Sequence, residues 1–326
     1  MSPLLRKILT VLLIAVALYG LFVVYVGYQD IRHSLHQLDL TAVWVALGLA
    51  TCNYLTRYLK WEFYLARLDI RHVGKLDSLL IFLSGFVLTI TPGKLGEVFK
   101  SAVLQGTHGV PLERTAPIVV AERLTDAIGV IVLILIGSLG FSGGLSWAVA
   151  GLTVVVLGMV CIIWPWPLQT LFRSLEQTPL QRFVPRLQTA LVSLRVLASP
   201  SALIWPTLLS IIAWGAEGYA LQVLLLGFGA DIGLMLPLFF YSTATLAGAL
   251  IPVPGGLGVT EGMLQNQLVT LGGITAAVAT SSMILVRLVT LWWAVLVGFV
   301  ALALIRARFP QLSFDAPQAQ APATNP

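Results

Sequence analysis

Of 326 residues, 58% are hydrophobic and only 10% are charged, and mean hydropathy is +0.92. Ordinary soluble domains carry about 25% charged residues, so a chain this apolar cannot clothe a soluble surface and reads as an all-α, polytopic membrane protein. The net charge of +5 sits mainly in short loops, which points to membrane topology rather than to a nucleic-acid partner.

Arg6 and Lys7 precede an apolar run from Ile8 to Tyr28. The run is too long for the core of a cleaved signal peptide and long enough to span, so it predicts a retained first helix. Full spans are predicted at 8–28, 41–59, 116–138, 146–164, 203–228 and 278–304, each near the ~20 residues that cross about 30 Å of hydrocarbon. Arg57, Lys60 and Trp61 close the second span and read as interfacial anchors, as do Tyr25, Trp164, Trp166 and Trp205. Residues 1–309 form one transmembrane domain, and the Pro/Ala/Gln-rich segment 310–326 reads as a disordered cytoplasmic tail.

Two regions interrupt the pattern. Segments 78–90 and 96–106 flank "ITPGKLGEVFKS", and 234–250 and 258–271 flank "IPVPGGLGVTEG". The first two arms reach only roughly 20 and 16 Å, the second two about 25 and 21 Å. Short arms around a helix-breaking turn predict two re-entrant hairpins; kinked full spans are the alternative. Loop charges agree with six spans plus two hairpins. Lys60, Arg67, Arg71, Lys75, Arg173, Arg182, Arg186, Arg195, Arg306 and Arg308 fall on the side of the N-terminus, while no Lys or Arg occurs between Arg195 and Arg287. Both termini are then cytoplasmic.

The two motifs echo each other. Pro92-Gly93-Lys94-Leu95-Gly96 aligns with Pro254-Gly255-Gly256-Leu257-Gly258, and two inserted residues bring Glu97 opposite Glu261 and Arg123 opposite Arg287. Repeat one covers about 41–138 and repeat two about 203–304. The first starts outside and the second inside, which predicts an inverted-topology repeat, a pattern of transporters that bind substrate between the repeats. Pro favours a first helical turn and Gly close backbone approach. Two half-helix N-termini aimed at each other would offer unpaired N–H groups to an anion, with Lys94 and Lys100 adding charge. Tight packing is the other use of such glycines.

Glu97, Glu122, Arg123, Asp126, Glu217, Glu261 and Arg287 fall in or near apolar spans. Each costs ~2.5–3.5 kcal/mol at a helix centre, so they must face one another or water. Arg123 and Arg287 are expected to pair with Glu97 and Glu261. Purely structural ion pairs are the alternative to a substrate site. Glu217 has no nearby partner in sequence and is a candidate for a substrate amine or proton coupling. Cys52 and Cys161 make no disulfide framework, and His33, His36, His72 and His108 no metal site. No hydrolase, metalloprotease or P-loop motif is present, so neither an enzyme nor a cofactor is implied.

"TPGKLGEVFKS", "ERLTDAIGV" and "IPVPGGLGVTEG" together resemble the flippase-like membrane region of bacterial lysylphosphatidylglycerol synthases and its stand-alone relatives. The resemblance covers about 8–305. It implies a bacterial-type plasma (inner) membrane protein that moves an anionic phospholipid or polyprenyl-phosphate-linked lipid between leaflets. It places Lys94, Glu97, Glu122, Arg123, Asp126, Glu261 and Arg287 around the head group. The aminoacyltransferase activity of those synthases is not implied, since no soluble domain follows the last predicted span. The alternatives are a membrane partner that presents a lipid phosphate to a lipid-modifying transferase, and a small-solute transporter. The oligomeric state is open.

Overall fold

The computed structural model describes residues 3–90, 97–140, 184–197, 199–251 and 253–311, with Ser146, Val149 and Thr153 besides. Every regular element among them is helical. In chain order these are α1 (Pro3–Val26), α2 (Tyr28–His36), α3 (Leu40–Arg67), α4 (Lys75–Ser84) with a 3₁₀ turn (Gly85–Leu88), α5 (Phe99–His108) and α6 (Leu112–Ser138). Then follow α7 (Val184–Leu197), α8 (Pro200–Gly227), α9 (Met235–Leu250), α10 (Val259–Thr270) and α11 (Ala276–Arg287). A π turn (Leu288–Trp292) joins α11 to α12 (Trp293–Arg308).

By length and hydropathy, 201–227 and 276–308 are fit to cross a membrane, and α2 with α3 qualifies only as a pair bent by 89°. This falls short of six full spans. One reason is α6: 27 residues reach about 40 Å, but Glu113, Arg114, Glu122, Arg123 and Asp126 spoil its apolar character. Apart from Ser146, Val149 and Thr153, the predicted span 146–164 lies outside the described residues, as do the tail from residue 312, Trp164 and Trp166. Helix α7 falls in a stretch read from sequence only as a basic loop.

The helices meet at two ends of the bundle. At one end, Arg67 donates to the Ser201 carbonyl, Arg114 to the Leu68 carbonyl, and Arg308 pairs with Asp77. At the other, the Asp39 amide donates to the Gly227 carbonyl at 2.9 Å, and the Ser34 and Ser281 hydroxyls meet at 2.8 Å. His108, the last residue of α5, lies 3.8 Å from Asp77 in the first turn of α4, so the start of α4 and the end of α5 lie together at the first end. Arms α9 and α10 pack together, with Gln267 Nε2 donating to Thr243 Oγ1 at 3.0 Å. Only a short connection separates the start of α9 from the C-terminus of α8, which lies at the opposite end. Helices α3 and α8 form the most extensive contact, and α6 covers α8 and α9.

The first pair of arms is seated on α12 through Gly298. A Cβ there would stand 2.6 Å from the Val87 amide nitrogen. Gly298→Ala is therefore expected to cost about 1–3 kcal/mol, as overpacking does, measured as a lower thermal midpoint in detergent.

Candidate functional site

Among the described residues, ten charged side chains lie in or behind one cavity. The first cluster is built on α3, α6 and α8. Lys60 is 1% exposed, and its Nζ lies 2.6 Å from Asp126 Oδ1 and donates to Ser210 Oγ at 2.6 Å. The Ser210 hydroxyl donates in turn to Asp126 Oδ1 at 2.9 Å. Arg123 is four-fifths of a turn from Asp126 on α6 and bridges outwards, 3.3 Å from Asp126 Oδ2 and 2.7 Å from Glu97 Oε2. Arg57 reaches the other Glu97 oxygen at 3.5 Å, where the Thr89 hydroxyl also donates. Lys100 pairs with Glu122 and lies over the rings of Trp61 and Phe82, 4.7 and 5.3 Å from their centroids.

The second cluster surrounds the second Pro-Gly motif. Gly255 and Gly256 take φ of 61° and 69°, a region open to glycine and strained for other residues. The chain therefore turns sharply before α10. Glu261 is fully buried and accepts from the Gly258 amide at 2.8 Å, closing the first turn of α10. Arg287 Nε meets Glu261 Oε1 at 2.6 Å, and Arg287 Nη2 donates to the Gly255 carbonyl at 2.7 Å. Tyr19 of α1 also donates to Glu261, at 3.4 Å. Just after Arg287 the helix widens into the π turn, a feature common at functional sites, and the Tyr54 hydroxyl donates to the Thr290 carbonyl at 2.6 Å.

Between the clusters lies a cavity of about 340 Å³. Its charged walls are Arg57, Arg123, Asp126, Glu217 and Arg287. Tyr54, Thr89, Trp214, Tyr241, Thr245, Gly255, Gly256, Thr260 and Thr290 add polar and aromatic groups to the lining. Glu217 accepts from the Tyr241 hydroxyl at 2.6 Å, the partner that the sequence did not offer.

Of the expected site residues, Arg123, Asp126, Glu217, Gly255, Gly256 and Arg287 thus share one cavity. Glu97 and Glu261 stand behind it as the counter-ions of Arg123 and Arg287, in the expected pairing. Lys100 and Glu122 are paired with each other away from the cavity wall, and Pro254 and Gly258 shape the turn. Pro92, Gly93, Lys94 and Gly96 lie outside the described residues. Two expectations need correction. The helix end at Gly258 does not wait with this N–H free for an anion, because Glu261, three residues on, reaches back to it. Arg57, Lys60 and Trp61 are not interfacial anchors: α3 runs on to Arg67, which carries all three into the bundle, and Trp61 is fully buried. The signal was available, since Asn53, Arg57, Lys60 and Tyr64 recur at helical spacing and form one polar face.

The sequence profile described as the lysylphosphatidylglycerol synthase TM region matches residues 8–298. The chain belongs to this family. It is accordingly a multi-pass membrane protein of the lysylphosphatidylglycerol synthase TM region family, whose description links it to lipid handling. Among its relatives are UPF0104 membrane proteins of three archaea. The one from Pyrococcus horikoshii is 22% identical over 318 residues, covering 88% of this chain and 94% of its own. The one from Methanothermobacter thermautotrophicus is 23% identical, over 89% and 93%. The third, from Methanocaldococcus jannaschii, is 22% identical over 65% of this chain and 91% of its own. The profile match spans every residue that lines the cavity.

Proposed function

We propose that the protein is a translocase, a flippase for an anionic phospholipid or a polyprenyl-phosphate-linked lipid. The observation that carries this reading is the cavity of about 340 Å³ faced by Arg57, Arg123 and Arg287. That volume is at the small end of ligand sites, enough for a phosphate head group while acyl chains stay in lipid. Three guanidinium groups on different helices replace the hydration that the phosphate gives up. Bidentate, always-charged donors suit that task.

The topology that goes with it has six full spans, two re-entrant hairpins entering from opposite leaflets, and an inverted repeat. Three findings support it. Glu97–Arg123 and Glu261–Arg287 are both ion pairs at a separation of 26 residues. The arms α4/α5 and α9/α10 open toward opposite ends of the bundle. The end that gathers Arg67, Arg114 and Arg308 is the basic one, which belongs in the cytoplasm of a plasma (inner) membrane. Alternating access would then rock one repeat against the other around the cavity.

Two experiments test the reading. In vesicles doped with fluorescent phosphatidylglycerol, the purified protein is expected to move label from the inner to the quencher-accessible outer leaflet faster than protein-free vesicles do. Lipid binding without faster exchange would overturn translocation and favour a role in presenting lipid phosphate to a transferase. For topology, a chain lacking Cys52 and Cys161 and carrying either His36→Cys or Arg71→Cys, both exposed positions, is labelled in intact cells with an impermeant thiol reagent. Labelling at 36 and protection at 71 is expected; the same result at both positions would break the scheme.

A further inference from the structure

Among the described residues three arginines line the cavity, and Glu97 holds two of them from behind. Its Oε2 accepts from Arg123 Nη2 at 2.7 Å, and its Oε1 lies 3.5 Å from Arg57 Nη2. Glu97 itself is buried, two residues before α5. It therefore ties the first pair of arms to α3 and α6 at once. We propose, resting on the lipid-phosphate reading above, that Glu97 is a built-in competitor for the head group: it sets the affinity of Arg57 and Arg123 for phosphate, and phosphate docking loosens the first pair of arms through it.

The equivalent pair in the second repeat is built differently. Arg287 commits Nε to Glu261 at 2.6 Å and Nη2 to the Gly255 carbonyl at 2.7 Å, and its side chain is 9% exposed. Arg123 stands at the same sequence separation from Glu97, yet its side chain is 28% exposed. One nitrogen, Nη2, serves both Glu97 and Asp126, and Nε has no hydrogen-bond partner among the described residues. Arg57 meets Glu97 beyond the usual hydrogen-bond distance, and its guanidinium lies over the Phe86 ring, 5.5 Å from the centroid. Each of these two guanidinium groups is thus anchored to Glu97 through Nη2 and keeps further donors for a ligand.

Phosphate takes those donors from the cavity side while Glu97 holds the same two groups from the other. Two anions sharing two cations in a weakly polar interior repel each other, and each weakens the other's hold. The effect is reciprocal: the factor by which Glu97 lowers phosphate affinity is the factor by which phosphate loosens Glu97. Asp126 also touches Arg123, but Lys60 at 2.6 Å and the Ser210 hydroxyl hold it independently, and it lies on the same helix as Arg123. Glu97 instead belongs to a different element from either arginine, so loss of its hold is felt by the arms. The second pair of arms is fastened by Glu261 to Arg287, and that anchor is not shared with Arg57 or Arg123.

The test uses the full chain in detergent with short-chain phosphatidylglycerol, read by calorimetric titration and by amide hydrogen exchange. Bound lipid is expected to speed exchange in α4 and α5 of the wild type and to leave α9 and α10 unchanged. Glu97→Gln keeps the shape of the side chain and loses its charge. It is expected to bind the same lipid about tenfold more tightly, within the usual span of coupling between two sites, and to show faster exchange in α4 and α5 before lipid is added. A Glu97→Gln protein that binds no more tightly than wild type overturns the inference. So does lipid that slows exchange in α4 and α5 of the wild type or leaves it unchanged, a measurement that needs no variant. Either result leaves the translocase reading intact. Both expected results in a protein that flips no lipid in vesicles do the reverse. A wild type that binds no such lipid overturns both.

Discussion

Arg287→Ala is expected to destabilise the protein by roughly 3–5 kcal/mol, the usual cost of removing one partner from a buried ion pair. Glu261 is fully buried, and Arg287 is the cation that meets it, at 2.6 Å. Without the guanidinium, the partners left to the carboxylate among the described residues are the Gly258 amide and the distant Tyr19 hydroxyl. The Gly255 carbonyl loses its donor as well, so the turn before α10 loosens together with the helix end. The measurement is the yield of monodisperse protein and its thermal midpoint in detergent. The double variant Glu261→Gln with Arg287→Gln should recover a large part of the loss, since no bare charge remains. Equal loss in the single and double variants would show that the pair's charge is not what matters.

Arg123→Ala should behave in the opposite way: a folded protein whose lipid exchange falls about 10–100-fold, the equivalent of the 1.5–3 kcal/mol that a hydrogen bond to a charged group contributes. The difference lies in what each arginine leaves behind. Arg123 is partly open to the cavity, its side chain 28% exposed. When it is gone, Glu97 still has Arg57 and the Thr89 hydroxyl, and Asp126 still has Lys60 and Ser210. No buried charge is orphaned, so the loss falls on whatever the cavity binds. Vesicle exchange assays beside thermal melts separate the two effects. A melt as damaged as that of Arg287→Ala would mean that the first ion-pair cluster is structural, and exchange unchanged at full stability would remove Arg123 from the site.

The contrast between these two arginines was only half legible in the linear chain. The echo of Glu97/Arg123 in Glu261/Arg287 follows from spacing alone, and the expected partners are the observed ones. Their different settings do not follow, because exposure depends on which helices come to lie opposite. Arg57 and Lys60 show the limit more sharply. Next to an apolar run they resemble a membrane-edge anchor. Only the extension of α3 to Arg67, and the arrival of α6 and α8 with Asp126 and Ser210, makes them interior groups.

By itself, the sequence determined the membrane class, the helical periodicity, the break at the second Pro-Gly motif and the need for the intramembrane charges to find partners. These depend on local composition and on the cost of a lone charge in hydrocarbon, both readable one segment at a time. The tertiary structure decided which partner each charge took, that a glutamate caps the second motif's helix, and that three arginines and Glu217 share one cavity. Those outcomes depend on distances between helices far apart in the chain, and packing alone sets those distances.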